Sequence, residues 1–562
     1  MVFPPLRALA LILAVASFTG CTKVATSSDP GSAGAPATGA AAIDRTTTRH
    51  TYTHPHEFRF AVAADIKGLN PLTGASVYEG YLGQFCMAWL IKTDAHGDAT
   101  VPELITEIPS LTNGGISKDG KTLIFHIRHG VKWSDGAPFD ADDVVFSTNQ
   151  VNNPKNNVIS RDGWDQIVKV DEPDKFTVVY HLKAPYSSFA VTFFSTGGAN
   201  PAVLPKHLLS TYTDLNDVPY NALPVGIGPF KYESWKRADS VTMVRNPLYF
   251  RGAPKLDRVV FKIIPDRNTT LQQMRTHEID AWLPMSPHFF SQVAAIPGIT
   301  MLSDPNYTFD HLDFNLAHPV MQDIAVRRAL RYAVPRKEIN DKVQNGLYVL
   351  GESPVTPASH FHLDLPLVPY DLAKANAMLD EAGWKRGADG VRAKNSLRLM
   401  LNFTTSAGNP DTDTSIELIR ASWKQIGVEI DVKRYQASQY FAPFADGGII
   451  YAGKFDVALF AWGSDPNEDA SNLYACYRFP PDGQNVVRWC DRAATGAMDR
   501  AKTSYDQAKR KVDIDLVQRA VYDAVPTVVI DSRKELIGYN ADLQGWKPNP
   551  VGPFDDMLSV DI

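Results

Sequence analysis

This chain lacks most of the features that mark a function class. It has 4 cysteines in 562 residues, and no cluster of further Cys or His near Cys476 and Cys490 that would complete a zinc site. Its net charge is only −6, so it carries no basic footprint for nucleic acid. Beyond the N-terminus no apolar run approaches the length of a membrane span. No G-x-S-x-G or H-E-x-x-H motif is present, which removes the common sequence signs of a hydrolase. There is no repeat of solenoid period. What is present is an ordinary globular composition. The chain is 44% hydrophobic, with 10 Trp, 21 Tyr and 27 Phe, enough for a large core and long enough for more than one domain.

The most informative stretch runs from Lys118 to Ser147, KDGKTLIFHIRHGVKWSDGAPFDADDVVFS. Asp119-Gly120 is a turn pair. Leu123, Phe125 and Ile127 alternate with Ile124, His126 and Arg128, the period of a half-buried strand. Gly130 breaks it, and Ser134-Asp135-Gly136 turns again. Asp140 is predicted to N-cap a helix, with Asp143 three residues on as its capping-box partner. Residues Gly115 to Thr122 fit the P-loop pattern G-x-x-x-x-G-K-T. A P-loop needs a buried strand before it and a helix after it. Here polar turn formers, Pro109 to Gly114, precede the match and a strand follows, so nucleotide binding is rejected.

The N-terminus sets the compartment. Arg7 precedes an apolar run, Leu9 to Ala16, too short for a stable anchor and laid out like a signal peptide over residues 1–20. Ser17-Phe18-Thr19-Gly20-Cys21 resembles a bacterial lipobox, in which the cysteine is lipidated and becomes the mature N-terminus; Phe18 stands where Leu is usual. Ordinary cleavage or an uncleaved anchor are the alternatives. Residues 21–54 are rich in Ala, Gly, Ser, Thr and Pro and read as a flexible tether. His50, His54 and His56 at its end have no nearby carboxylate-and-cysteine set and read as solvated residues, not a metal site. In an oxidising compartment Cys476 and Cys490, which bracket a short Pro/Gly loop, are expected to form a disulfide. Cys86, in the apolar run Phe85 to Ile91, is expected to be a buried free thiol.

The rest reads as mixed α/β. Phe176, Val178, Tyr180 and Leu182 alternate as a strand. Pro224 to Phe230 is a Gly/Pro corner followed by strands through Val241–Met243 and Arg258–Ile264. A helix starts near Thr269. A short strand, His311 to Phe314, opens a second region. Asp323 and Asp371 cap helices, the second stopping at Gly383. A third helix runs from Ile416 to Ile426 and stops at Gly427. Strands follow at Val428–Val432 and Phe455–Phe460. Strands alternating with helices predict a largely parallel sheet with ligand chemistry beyond the strands' carboxyl ends.

The segments KDGKTLIFHIRHGVKWSDGAPFDADDVVFS, VGIGPFKYESW, RNPLYFRGAPKLDRVVFKIIPD and His277-Glu278-Ile279-Asp280 closely resemble the family 5 extracellular solute-binding proteins, the peptide-, nickel- and oligosaccharide-binding components of ABC importers. The resemblance covers nearly everything from Glu57 on. It implies a two-lobed α/β periplasmic-binding-protein fold, type II-like and of cluster C, with an extra subdomain in lobe I. Lobe I would comprise residues 55–75, 190–300 and 530–562, its subdomain 76–189, and lobe II 301–529. It also implies hinge closure over a ligand, docking on two permease subunits driven by cytoplasmic ATPases, and no cofactor. The expected product is an exported monomer, periplasmic or at the cell surface, held to the membrane only through Cys21.

In the family's peptide binders a Trp ends a strand and an Asp three residues later pairs with the peptide's α-amino group. Trp462 and Asp465 match both, and a partly desolvated carboxylate suits an ammonium. Asp-Pro is also a common turn pair. The resemblance places Ser76, Val77 and Tyr78 in a segment that offers backbone to an extended peptide, and Tyr307 and Phe309 near a hinge-side strand. Family dipeptide binders carry an Arg before the third helix to hold the peptide carboxylate. LNFTTSAGNPD has none here, which favours longer peptides, a carboxylate held elsewhere, or another ligand. An oligosaccharide, an opine or a nickel complex on the same fold, and an exported hydrolase, are the rival readings.

Overall fold

The computed structural model describes residues 49–562 other than 75, 95, 159, 197–200 and 465. Cys21, the signal sequence and nearly all of the tether, as well as Asp465, therefore lie outside the described residues. A ten-stranded sheet organises the chain. Its order is Glu429–Tyr435, Met400–Ser406, Val457–Gly463, Ile299–Phe314, Thr527–Asn540, Ala281–Trp282, Glu57–Val62, Arg258–Ile263, Ser240–Arg245 and Phe230–Lys236.

The sheet is mixed. Parallel pairs occur within each half, Glu57–Val62 with its two neighbours and Met400–Ser406 with its two. The other pairs are antiparallel. This corrects the expectation of a largely parallel sheet. The reason is the pair of long strands at the centre. Ile299–Phe314 spans 16 residues and Thr527–Asn540 spans 14. They run antiparallel from one half to the other, with register shifts at Pro305/Phe309 and Asp310/His311 where the ladder bends. The short strand expected from His311 to Phe314 is the last quarter of this element.

Each half has its own core. Phe58, Phe60, Phe85, Phe230, Phe261 and Phe554 are fully buried on one side. Leu312, Phe314, Phe403, Trp423 and Val528 are fully buried on the other. Each such side chain contributes roughly 1.5–3 kcal/mol when removed from water, so both halves are independently driven to collapse. After the long C-terminal strand the chain ends in the first of these cores, through Trp546, Met557, Val560 and Ile562. Family-like proportions follow: two α/β lobes joined by a two-strand crossing.

A further core gathers residues between Leu72 and Ile227. Here the strand Thr122–His126 pairs antiparallel with Thr177–Leu182, placing Leu123 opposite Tyr180 and Phe125 opposite Val178. The helix Ala141–Asn152 starts as the sequence predicts. Asp140 accepts from the Asp142 N–H, and the reciprocal capping box with Asp143 is formed. Asp143 does more than cap. It also accepts from Trp133 Nε1 at 3.1 Å and from the Lys206 N–H at 2.8 Å, while burial pushes its carboxyl up to about 6. The P-loop look-alike leads into the strand Thr122–His126, so no helix N-terminus faces a phosphate there.

Other expectations hold at residue level. Gly383 and Gly427 end helices with φ of 83° and 79°. Helices begin at Arg267, Ile324, Leu372 and Pro410, capped by Asp266, Asp323, Asp371 and Asn409; the last starts six residues before the Ile416 expected. The Cys476–Cys490 disulfide is formed. Cys86 is a buried free thiol, and burial pushes its pKa well up, which suppresses the reactive thiolate. His50, His54 and His56 pair with three separate carboxylates, Asp542, Glu57 and Asp561. No helix among the described residues is long and apolar enough to cross a membrane.

Candidate ligand cleft

The crossing strands form a floor between the lobes, and a chamber opens on each face of them. Side chains of a strand point alternately to opposite faces. Phe309 accordingly lines one chamber, while Thr308 and Asp310 line the other.

The first chamber has a volume of about 370 Å³. Its lobe II wall is Trp462, Ser464, Asn467 and Tyr474; facing it are Trp164, Tyr186 and Thr196. Trp462 is the penultimate residue of the strand Val457–Gly463, at the strand end where the resemblance puts it. It stands opposite Phe309 in the antiparallel ladder, so the two rings share a face. The loop that follows is held firmly. The Ser464 N–H and hydroxyl both donate to the Tyr307 carbonyl, at 2.9 and 3.2 Å. Arg510, from the helix Gln507–Ala524, donates to the carbonyl and the side chain of Asn467 at 2.7 and 2.6 Å. Lys502 pairs with Asp469 at 3.2 Å.

A recess continues from this chamber beneath Trp462, lined by Phe309, Phe441, Phe460 and Tyr474. His311 lies at its side, with its ring 5.0 Å from that of Phe309 and 4.4 Å from that of Phe460. His311 Nδ1 has no hydrogen-bond partner among the described residues. Its Nε2 is 3.4 Å from Asp313, whose other oxygen accepts from Thr527 at 2.7 Å. The recess is small, about 30 Å³, so as it stands it takes a water or a methyl-sized tip beside His311.

The second chamber is larger, about 650 Å³, and charged. Val77, Arg267, Met285 and Ser286 form its lobe I wall; Tyr348 and Gly408 to Thr412 form the other. Its floor carries Asp310, Asp531, Arg533 and Glu535. Both chambers lie beyond carboxyl ends of parallel strands, where open α/β sheets place ligands.

The candidate residues are thus divided. Trp462 and Phe309 meet in the aromatic chamber. Tyr307 is buried, donates to the Ala358 carbonyl at 3.4 Å, and acts through its own carbonyl on the 464 loop. Of Ser76, Val77 and Tyr78, Ser76 is in extended backbone and N-caps the helix Val77–Cys86. Val77 is exposed on the rim of the charged chamber, and Tyr78 packs on the lobe I core. The acidic floor was missed from the sequence, because its carboxylates belong to two strands far apart in the chain.

Burial pushes Glu535 up to about 7. Its unfolded value is near 4.3. The folded state therefore holds a proton that the unfolded state has lost between these two values, and stability falls as pH rises through that window. The expected loss is about 3 kcal/mol. Glu535→Gln should flatten that part of the stability profile and raise stability at pH 8. Urea unfolding at pH 5 and pH 8 measures both; identical profiles for the two proteins would refute the assignment.

A two-lobed molecule with a hinge strand pair and an interlobe cleft is the architecture of a solute-binding protein. The family model for bacterial extracellular solute-binding proteins, family 5, matches residues 99–484, and the chain belongs to that family. It is a binding component of an ABC importer that works outside the cytoplasm, and it is not an enzyme. It is 25% identical over 463 residues to a dipeptide-binding protein of Escherichia coli (strain K12), covering 78% of this chain and 83% of that one. It is 26% identical over 478 residues to the oligopeptide-binding protein AppA of Bacillus subtilis (strain 168), covering 82% and 83%. Among solved structures, AppA from Bacillus subtilis in complex with a nonapeptide superposes with a TM-score of 0.73 at 22% identity, over 90% of this chain and 98% of that one. NikZ from Campylobacter jejuni in complex with Ni(L-His) does so with a TM-score of 0.74 at 24% identity, over 90% and 99%.

Proposed function

We propose that this protein captures oligopeptides between its lobes, closes over them about the two crossing strands, and delivers them to a membrane permease. The observation that carries the reading is Trp462 and Phe309 side by side on the chamber wall, with an aromatic recess beneath them. Peptide names among its relatives support it. In this reading backbone hydrogen bonds supply affinity and roomy pockets accept varied side chains. Asp465 takes the α-amino group. The space around Gly408 to Thr412, where an Arg is absent, leaves room for residues beyond a dipeptide. Closure is a population shift towards a closed form that the permease recognises.

The finer assignments belong to the same proposal. The fold is type II-like, of cluster C. Lobe I consists of 55–75, 190–300 and 530–562, with 76–189 as its subdomain, and 301–529 forms lobe II. The mature protein is a monomer tethered through lipidated Cys21 and the 21–54 segment.

Native mass spectrometry of the purified mature protein, followed by denaturation, tests the ligand class. A ladder of short peptides is expected, and Asp465→Ala should lose it. A single sugar, opine or metal complex would overturn the peptide reading. Trp462→Ala should weaken binding of a retained peptide about 10- to 100-fold, the effect of deleting a large aromatic contact in a desolvated site. An unchanged Kd by calorimetry would remove Trp462 from the binding surface.

A further inference from the structure

Three carboxylates and one guanidinium line the floor of the charged chamber. Asp531, Arg533 and Glu535 alternate along Thr527–Asn540, so they face the same side. Asp310 stands directly opposite Asp531 in the ladder. Arg533 forms a two-pronged pair with Asp310, Nε to Oδ2 and Nη2 to Oδ1, both at 2.7 Å. That geometry matches one guanidinium to one carboxylate. Asp531 is 1% exposed and, apart from the facing Asp310 carboxylate, neither of its oxygens has a hydrogen-bond partner among the described residues. Glu535 receives only a long contact from Asn306, 3.5 Å, and its other oxygen has no partner.

The surroundings do not offset these charges. Burial and the neighbouring Asp310 push Asp531 well up, and Arg533 only partly counters them. Arg267 and Lys534 line the chamber, yet neither forms an ion pair with Asp531 or Glu535 among the described residues. Asp411 and Tyr348 line the opposite side and add no cation. An unpartnered buried carboxylate is costly to keep. A guest cation beside either group would offset its charge.

We infer that the charged chamber is a cation subsite, in which Asp531 or Glu535 receives an ammonium or guanidinium group of the cargo. The inference rests on the peptide reading above and adds a preference for positively charged cargo. The peptide reading already gives the α-amino group to Asp465, so the cation expected here is a basic side chain.

Calorimetry with Ala-Ala-Ala, Ala-Lys-Ala and acetyl-Ala-Lys-Ala separates the outcomes, using the wild type and Asp531→Asn/Glu535→Gln. Each replacement keeps shape and removes charge. The wild type should bind the two lysine peptides about tenfold or more tighter than the variant does. A loss confined to the two lysine peptides assigns the basic side chain. A loss shared by the two free-amine peptides and absent from the acetylated one would place the α-amino group here and overturn the side-chain subsite together with the Asp465 assignment. Equal affinities of wild type and variant for every peptide that binds would overturn the cation subsite and leave the peptide reading standing. Binding of none of the three by the wild type would overturn the peptide reading, and this inference with it. A raised unfolding midpoint in the variant, with its cation binding unchanged, would mark the acids as structural only and likewise overturn the subsite.

Discussion

Asp280→Ala should destabilise the protein by about 3–5 kcal/mol, the loss typical of breaking one side of a buried ion pair. Asp280 is fully buried and precedes the strand Ala281–Trp282. Its carboxylate accepts from Arg59 Nε at 2.8 Å, Arg59 Nη2 at 2.9 Å, the Arg59 N–H at 2.9 Å and Asn540 Nδ2 at 3.1 Å. Arg59 belongs to Glu57–Val62, and Asn540 ends the long C-terminal strand. One side chain thus ties together three neighbouring strands of lobe I. Truncation strands a guanidinium that is 8% exposed and keeps only the His277 carbonyl, at 3.0 Å. Urea unfolding reads the loss. Adding Arg59→Met to the variant should recover much of it, since no charge is then left unpaired. A single-variant loss below about 1 kcal/mol would show that water reaches the pair.

Local rules made much of this fold legible. The turn, strand, turn and capped helix of Lys118–Ser147 form as written because each signal there is short-range: a Gly at positive φ, a period-two run, an Asp capping box. The long central strands were legible only in part. Only His311–Phe314 was expected as strand, while Asp304, Pro305 and Asn306 also lie within Ile299–Phe314, beside a register shift. The strand expected from Phe455 to Phe460 runs on through Trp462 to Gly463, which pairs with Thr308. His277 stands where the family has Gly, at φ 55°. It is tolerated there with its ring stacked on Tyr52 at 3.5 Å, a partner 225 positions away in the chain (277 − 52). The acidic floor is the extreme case. Asp310 and Asp531 meet only because two antiparallel strands cross between lobes, and no local pattern signals that juxtaposition. A strand-end motif such as Trp462 and Asp465 can be read locally; a juxtaposition made by strand pairing cannot.

Gly226→Ala should be similarly severe, about 3–5 kcal/mol, for a reason that is steric and not electrostatic. The Gly/Pro corner docks on the carboxyl end of the helix Val77–Cys86. A Cβ at Gly226 would lie 1.9 Å from the Cys86 carbonyl oxygen, and one at Gly228 would lie 2.5 Å from that of Phe85. Backbone hydrogen bonds fix the approach: the Gly228 N–H donates to the Cys86 carbonyl at 2.8 Å, and the Gly226 carbonyl accepts from the Ser134 N–H at 2.9 Å. The obstacle is backbone on both sides, so no rotamer change relieves it. Gly351, where a Cβ meets nothing within 4 Å, is the control, and its Ala variant should stay within about 0.5 kcal/mol of the parent. The helix displaced by Gly226→Ala is the one whose first residue, Val77, borders the charged chamber. A folded Gly226→Ala protein should therefore also bind cargo more weakly, although residue 226 touches neither chamber. Unfolding midpoint and Kd are expected to fall and rise together. A midpoint equal to that of Gly351→Ala would refute the close approach, and a lowered midpoint with an unchanged Kd would separate the helix from the binding surface.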